Sequence, residues 1–505
     1  MPELIAEADL SADPALRTGI ERSVARARRS GRTRWIAWAV EAGIANPIPC
    51  YAHAADRDRF YWERAPDDEF LCAWGSVHEI ETEGRDRFRD VRAWKADLSA
   101  RLDRIGAERP ESAADFVGGF GFDPDAPATP EWKSFAAARF LLPEVMLERR
   151  AGRAFWTLFA RVEPGSRAES VRAALEARRT DVVAAGRIRE ARVSCDRIPT
   201  EGGSVVAGET WPPGPTYLVR SDRKHAVFED QVRHALREID RGGLVKIVLA
   251  RSLLVDHDGE FDVPAFLERL RGLYPTCTLV AVGRGSDTFL AATPETLVRV
   301  KGRQLETAAL AGSTPRGRHP DEDRRLAEGL LGSPKENEEH RHVVEAIREG
   351  LAPFCDELEI PARPALRSLV GIQHLETPIR GRLAEGSGSG GRADILEIVE
   401  ALHPTPAVCG VPAAAARDWL RSFEGLSRGW YAAPIGWLDL EGGGEFCVAL
   451  RSALIRNRAA TRGAPAGGRA VLFAGAGIVS GSEPEAELAE TRIKLRALLA
   501  PLTEI

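Results

Sequence analysis

The first 220 residues alternate short apolar stretches with charged ones. Four of the stretches are predicted to form strands: RWIAWAV (34–40), FVGGFGFDPDA (116–126), ARFLLPEVML (138–147) and RAFWTLFARV (153–162). Residues 164–190 then take helical spacing, and the glycine- and proline-rich stretch 200–215 is typical of a connection. We therefore predict a boundary near residue 220, so that residues 1–220 contribute sheet and scaffold to a fold completed by residues 221–505.

Beyond residue 220 the pattern predicts a helix that leads directly into a strand. Apolar residues over 228–239 follow helical spacing, and Gly242 suits the end of that helix. LVKIVLARSLLV (244–255) has the alternation of a strand, which places Lys246 on the same face as Val248. An amine on a largely apolar face is costly unless it has a partner or a function.

The last predicted helix spans 482–499, where Ser482 and Glu485 fit a capping box. At 100° per residue, three of its polar side chains fall on one edge of the apolar stripe. These residues are Glu487, Glu490 and Lys494. Glu490 and Lys494 could be an ordinary exposed ion pair at i,i+4 spacing, so this helix alone does not define a site.

A second predicted helix, 333–350, also carries polar residues at the border of its apolar face. Ser333 and Glu336 mark its start, and Glu339 and His340 lie beside the apolar residues. Carboxylates from two helices could share one hard cation, and oxygen ligands suit magnesium. The alternative is a pair of helix-edge glutamates without a common ligand.

Two further segments invite a ligand-binding interpretation. AGAGIVSG (474–481) has the spacing GxGxxxG, and too few residues follow it to complete a dinucleotide-binding fold. A tight strand-to-helix turn with backbone amides available to an anion fits it better. CVALRSALI (447–455) is predicted to be a strand that holds Arg451 among apolar residues, where the guanidinium could bind a carboxylate or make a structural ion pair.

Composition narrows the class of protein. The 505 residues are 44% hydrophobic and 29% charged with a net charge of −6, which gives no electrostatic case for nucleic-acid binding. Seven cysteines without a CxxC pair favour neither a disulfide framework nor a zinc site. The N-terminus lacks an apolar signal segment and no stretch is long enough to span a membrane, so we expect a cytoplasmic protein. Strands and helices mix without a βαβ rhythm, which favours an α+β fold with large antiparallel sheets.

Eight segments in the second half resemble the chorismate-utilising enzymes, a family that includes anthranilate synthase large subunits, aminodeoxychorismate synthases, isochorismate synthases and salicylate synthases. The segments are KIVLAR (246–251), AATPETLV (291–298), LAGSTPRG (310–317), PKENEEH (334–340), LHPTPAVCGVP (402–412), RGWYAAPIGW (428–437), VALRSALI (448–455) and AGAGIVSGSEPEAELAETRIKL (474–495). In the first half the resemblance is thinner and rests mainly on GGFGFDPDA. The resemblance implies an anthranilate synthase large-subunit-like fold, with large antiparallel sheets packed face to face, helices outside, and residues 221–505 as the chorismate-binding catalytic domain.

The resemblance also implies the chemistry. Lysine at the Lys246 position is typical of the water-using members, in which it is the general base for attack on C2 of chorismate. Glu295 matches the general acid that protonates the departing C4 hydroxyl. Amino synthases typically have glutamine at the lysine position, so we expect no glutamine amidotransferase subunit, and we predict a monomer with chorismate as its small-molecule partner.

The remaining site residues follow from the same resemblance. Glu339 and Glu490 match ligands of Mg²⁺, with Glu487 as a nearby or water-mediated participant. Arg451 and turns at Gly312 and Gly475 would hold the carboxylates of the substrate. The positions expected to bind or line the substrate are Gly312, Ser313, His374, Thr405, Ala407, Tyr431, Leu450, Arg451, Gly475 and Lys494.

Three functions stay open at this point, two enzymatic and one non-catalytic. RGWY and the leucine before Arg451 are similar to menaquinone-type isochorismate synthases, and Ala407 and Val408 resemble the apolar pair of isochorismate synthases. We therefore predict magnesium-dependent conversion of chorismate to isochorismate, serving menaquinone or siderophore biosynthesis. A salicylate synthase, which would go on to eliminate pyruvate, is the alternative, and a non-catalytic chorismate-binding protein is disfavoured because every matched position holds a competent residue.

Overall fold

A computed structural model describes residues 13–43, 46–110, 113–127, 129–193, 217–388, 391–461 and 466–503. The predicted connection 200–215 lies outside these ranges. The helices are α1 (Pro14–Ser30), α2 (Pro47–His53), α3 (Arg87–Ser99), α4 (Ala168–Val193), α5 (His225–Asp240), α6 (Val263–Leu273), α7 (Pro320–Gly332), α8 (Pro334–Leu351), α9 (Ile395–Leu402), α10 (Ala413–Phe423) and α11 (Pro484–Thr503). None of the described helices is long and apolar enough to cross a membrane.

The strands come from both parts of the chain. Those before residue 193 are β1 (Arg34–Ala42), β2 (Arg59–Arg64), β3 (Glu69–Trp74), β4 (His78–Thr82), β5 (Leu102–Gly106), β6 (Phe116–Phe120), β7 (Ala138–Leu142), β8 (Val145–Arg150) and β9 (Arg153–Val162). Those after residue 217 are β10 (Tyr217–Ser221), β11 (Lys246–His257), β12 (Thr278–Arg284), β13 (Asp287–Thr293), β14 (Thr296–Lys301), β15 (Gln304–Pro315), β16 (Cys355–Glu359), β17 (Ala365–Leu369), β18 (Ile372–Leu383), β19 (Gly410–Val411), β20 (Pro434–Leu438), β21 (Gly444–Val448), β22 (Ser452–Arg458) and β23 (Gly467–Ile478).

These strands form two large sheets. The first has the order β10-β11-β23-β22-β13-β12-β2-β3-β8-β9-β1-β5 with β19 beside β11, and the second has the order β16-β18-β15-β14-β21-β20-β6-β7-β4 with β17 beside β18. Among the described strands, all pairs are antiparallel except β1 with β5. Each sheet joins the two parts of the chain, since β2 pairs with β12 and β6 pairs with β20.

The main apolar core contains residues of both sheets. Trp62 and Leu71 of the first sheet and Phe140 and Phe446 of the second are members of one buried cluster. A second buried apolar cluster contains residues of the first sheet that are not in the main core, such as Ile36 and Leu147, and joins them to helices α1, α2, α4, α6 and α11. This arrangement confirms the predicted α+β fold with large, mainly antiparallel sheets.

Two apolar stretches that were each predicted to be one strand are in fact two. Residues 138–147 divide at Pro143 into β7 of the second sheet and β8 of the first, because proline cannot donate to a continuing ladder. Residues 447–455 likewise leave the second sheet after β21 and enter the first at β22. Arg451 lies between these strands with a left-handed backbone, φ +47°, and not within a strand as predicted.

The predicted turn at Gly475 is also wrong, although the last residues of AGAGIVSG do form the predicted strand-to-helix turn. Gly475 and Gly477 lie inside β23, paired with Ala250 and Val248 of β11, and the chain turns only after Ile478. The predicted capping box of the last helix does not form, because the Ser482 hydroxyl accepts from the Val479 amide and the Glu485 carboxylate lies 3.5 Å from Arg233.

Candidate active site

One pocket opens where the chain passes between the two sheets. Its wall receives residues from β11, β15, β18, β23, α8 and α11 and from the segments that link the sheets. The predicted site residues in this wall are Glu295, Gly312, Ser313, Glu339, His374, Ala407, Tyr431, Leu450, Arg451, Gly475, Glu487, Glu490 and Lys494. The structure therefore brings together residues that lie up to 199 positions apart, as Glu295 and Lys494 do.

Glu295 lies at the crossover from β13 of the first sheet to β14 of the second. Its side chain is buried, and burial raises the pKa of this carboxyl to about 7, against the opposing effect of Lys246 and Lys494. A carboxyl group that keeps its proton near neutral pH can donate it to a leaving group.

Arg451 lies at the other crossover, from β21 to β22. Its side chain is largely buried against Tyr274, and its Nη1 has no hydrogen-bond partner among the described residues. A buried guanidinium nitrogen without a partner is costly, and a bound carboxylate would supply the missing acceptor. This geometry fits an anionic ligand in the pocket.

Lys246 is completely buried at the start of β11. Its Nζ lies 2.8 Å from Oε1 of Glu339, which itself lines the pocket. Lys246 does not itself line the pocket, but it lies beside Gly477 of β23, which does: a Cβ at residue 477 would lie 3.3 Å from Cε of Lys246 and 2.6 Å from the Glu339 oxygen. The missing side chain at residue 477 thus leaves room for the lysine–glutamate pair.

We expect Gly477→Ala to lower kcat by about tenfold or more, because the added methyl group would displace the Glu339 carboxylate and its lysine partner. Steady-state turnover would measure the effect. Gly467→Ala in the same strand is the control, since its Cβ would lie 3.3 Å from the flexible end of Arg458. Equal activity of the two variants would contradict a role for the pair.

Four glutamates from α8 and α11 face the same end of the pocket: Glu336, Glu339, Glu487 and Glu490. Burial, and next the Glu490 charge, raise the pKa of Glu487 to about 7. Burial and the Glu339 charge raise the pKa of Glu336. This end of the pocket therefore carries more negative charge than its neighbours neutralise.

Lysines and a serine compensate part of this charge. Lys494 lies 2.7 Å from Glu490, and the Ser313 hydroxyl donates to the same carboxylate at 3.0 Å. Although burial opposes it, the lysine lowers the pKa of Glu490. Lys335 lies 3.6 Å from Glu487 and is only partly buried. Sequence reasoning missed Lys335 and Glu336, although Glu336 lies one helical turn before Glu339.

The part of β15 that lines the pocket is irregular. Gly312 has φ +76° at a bulge between Ala311 and Ser313, and a Cβ there would lie 3.2 Å from the Glu336 carboxylate. Opposite the bulge, burial holds the pKa of His374 well below its usual value, and its ring bonds to the Gly312 backbone. His374 is therefore a neutral ring at neutral pH.

The apolar side of the pocket includes Ala407, Val408, Leu450 and Tyr431. Burial raises the pKa of Tyr431 well above its usual value, so its hydroxyl stays protonated. Thr405, another predicted substrate residue, is buried but is not among the residues that line the pocket.

The donor set suits a hard cation, although it is not preassembled. Four carboxylates with surplus negative charge provide the oxygen ligands that magnesium prefers. Among the described residues, no three acidic, histidine or cysteine side chains already stand at metal-binding geometry. Lys246 contacts Oε1 of Glu339 and Lys494 contacts Oε1 of Glu490, so the second oxygen of each carboxylate could bind an ion.

The fold and this pocket define a chorismate-binding enzyme, and the chain belongs to that family: the family model described as "Chorismate binding enzyme" matches residues 22–503. The salicylate biosynthesis isochorismate synthase of Pseudomonas aeruginosa is 37% identical over 497 residues, which cover 97% of this chain and 95% of that protein. Isochorismate synthase MenF of Bacillus subtilis is 32% identical over 90% of this chain and 91% of its own.

Solved structures support the fold. MenF, the menaquinone-specific isochorismate synthase from Escherichia coli, superposes with a TM-score of 0.69 at 24% identity, covering 97% of this chain and 100% of its own. Anthranilate synthase component I from Streptococcus pneumoniae gives a TM-score of 0.60 at 20% identity, covering 85% and 92%. The expected anthranilate synthase-like fold is therefore confirmed.

Proposed function

We propose that this protein is an isochorismate synthase, which converts chorismate to isochorismate by addition of water at C2 and loss of the C4 hydroxyl. The observation that carries the proposal is a pocket lined by a protonatable glutamate and by an arginine whose Nη1 lacks a partner, with the buried Lys246 behind its wall in contact with the pocket residue Glu339. Two relatives that carry the name isochorismate synthase match the chain at 37% and 32% identity.

Glu295 acts as the general acid in this proposal. Its pKa of about 7 lets the carboxyl hold a proton that it gives to the departing C4 oxygen. Arg451 holds a substrate carboxylate through the nitrogen that lacks an internal acceptor. Tyr431 and Leu450 supply the apolar side on which the ring rests.

Lys246 acts as the general base. It removes a proton from the water that attacks C2, and the contact of 2.8 Å with Glu339 orients its amine. Gly477 leaves the opening through which the amine meets that water. The base comes from β11 and the acid from the crossover between β13 and β14, and two separate positions suit reaction at two different ring carbons.

Glu339 and Glu490 would hold a magnesium ion, with Glu336 and Glu487 close enough to take part. When bound, the ion supplies Lewis acidity and orients a carboxylate of the substrate. The surplus of carboxylates over lysines at this end of the pocket supports the choice of a divalent cation.

The direct test is product analysis. Purified protein incubated with chorismate and magnesium should form isochorismate, and isochorismate supplied instead should return to chorismate. Release of pyruvate with salicylate would identify a salicylate synthase. Binding of chorismate without any turnover would identify a non-catalytic protein and overturn the proposal.

Removal of magnesium with EDTA should abolish turnover, because four carboxylates would then repel the anionic substrate. Excess magnesium should restore the rate, whereas excess potassium at equal ionic strength should not. Thermal unfolding of the protein with and without magnesium provides a second readout, since an ion that binds the folded state raises Tm. Full activity after exhaustive chelation would exclude the metal.

A further inference from the structure

Strand β11, which carries Lys246, is covered unevenly on one edge. One edge pairs with β23 along its length. On the other edge, β19 pairs with Lys246 and Ile247, and β10 pairs only from Leu253 onward. Among the described strands, none pairs with this edge from Val248 to Ser252.

A buried ion pair occupies that gap. Glu424 accepts from the Ala250 amide at 2.7 Å, and Arg428 donates to the Val248 carbonyl at 2.7 Å. The two side chains bind each other through two hydrogen bonds of 2.6 and 2.7 Å. Their polar atoms thus take the place of the missing strand.

The same arginine also reaches the loop on the other side of the pocket. Nη1 of Arg428 donates to the Val408 carbonyl at 2.7 Å. Val248 and Val408 both line the pocket, and Val248 lies two residues after Lys246. Arg428 therefore sets the separation between the strand of the lysine and the loop that contains Ala407.

The N-terminal part of the chain holds this arginine in place. The guanidinium lies 4.4 Å from the centre of the Phe122 ring. The Phe122 amide donates to the Gly429 carbonyl at 2.7 Å, and the His403 ring donates to the Phe122 carbonyl at 3.0 Å. Phe122, which follows β6, thus fixes the segments before and after the pocket loop, the loop that contains Ala407 and Val408.

Stability alone does not explain the pair. Both side chains are at most 4% exposed, and desolvation of two charges offsets much of their attraction. An apolar pair of similar size could fill the space, but it could not bind the main chains of β11 and the pocket loop. Fixed geometry at the pocket is what the charged pair adds.

We propose that Arg428, oriented by Glu424, is a positioning residue of the isochorismate synthase site. The inference rests on the proposed function. Arg428 holds Val248 and Val408 at the distance that the substrate requires, and it keeps the strand of Lys246 in register with the pocket loop.

Arg428→Lys tests this role, because lysine keeps the charge but cannot bind Glu424, Val248 and Val408 at once. We expect KM for chorismate to rise about tenfold and kcat to fall about tenfold or more. A purely structural role would reduce the folded fraction, which lowers apparent kcat and leaves KM unchanged. Glu424→Gln keeps an acceptor for the Ala250 amide and should also raise KM and lower kcat, by smaller factors. If Arg428→Lys does not fold, Glu424→Gln tests the role in its place.

Arg109→Lys is the matched control. Arg109 is 6% exposed and pairs with the fully buried Glu148 and Asp115, away from the pocket. We expect the Tm of this variant to fall, as that of Arg428→Lys does, while its KM stays equal to that of the unmodified protein. An inactive unmodified protein overturns the proposed function. An active one whose KM is unchanged in both Arg428→Lys and Glu424→Gln overturns the positioning role alone.

Discussion

Lys246→Ala should lower kcat by about 10²- to 10⁴-fold, which is about 3–5 kcal/mol of transition-state stabilisation. Lys246 is completely buried and is positioned by Glu339 at 2.8 Å. Chromatographic assay of isochorismate formed from chorismate measures the loss.

Stability must be followed in the same experiment, because Glu339 loses its partner when the lysine is removed. Circular dichroism and Tm separate unfolding from loss of the base. Lys301→Ala, at the exposed end of β14, is the control and should keep full activity. Turnover of folded Lys246→Ala at the unmodified rate would rule out lysine as the base.

Glu295→Gln should have a comparable effect, since the amide preserves size but has no acidic proton to give. A loss of about 10²- to 10⁴-fold in kcat is expected with little change in KM. Asp439→Asn is a suitable control, because burial also raises the pKa of Asp439, to about 6, yet this carboxyl binds the Gly443 amide and does not line the pocket.

The pH profile tests the same residue in a second way. A general acid works only while it is protonated, so burial of Glu295, which raises its pKa to about 7, predicts that kcat falls as pH rises through about 7. Glu487 also has a pKa of about 7 and must lose its proton to bind a cation. Its protonation should therefore lower kcat on the acidic limb of the profile. Higher magnesium should shift the acidic limb and leave the alkaline limb in place. A falling limb that persists in Glu295→Gln would assign it to another group.

Periodicity predicted much of the local structure. The helices that became α5 and α8 and the strand that became β11 follow from apolar spacing and from Gly242 and Ser333. Asp394 caps α9 as its position before an apolar run suggests. Hydropathy could not reveal that 447–455 leaves one sheet and enters the other, because β21 and the first four residues of β22 are equally buried.

The site was less accessible to sequence reasoning than the elements that build it. Glycines usually mark turns, so Gly475 was assigned to a turn. In the structure it lies inside β23, where the absence of a side chain makes room for the Tyr431 hydroxyl. A Cβ at Gly475 would lie 2.9 Å from that hydroxyl. Glu336 has a second function that a capping pattern hides, since its side chain accepts from the Ser313 amide at 3.0 Å. The periodicity of apolar residues in the sequence does not indicate such contacts between distant segments.

Each sheet contains one junction at which a strand from the first part of the chain pairs with a strand from the second part, and this junction has a consequence for synthesis. At about 5–20 residues per second, the ribosome releases β2 and β6 many seconds before their partners β12 and β20 exist. Until then the nascent chain presents open strand edges, which attract other chains. Contacts of such long sequence separation also slow closure of the sheets. Recombinant yield should therefore depend on temperature and chaperone supply far more than the stability of the finished protein would suggest.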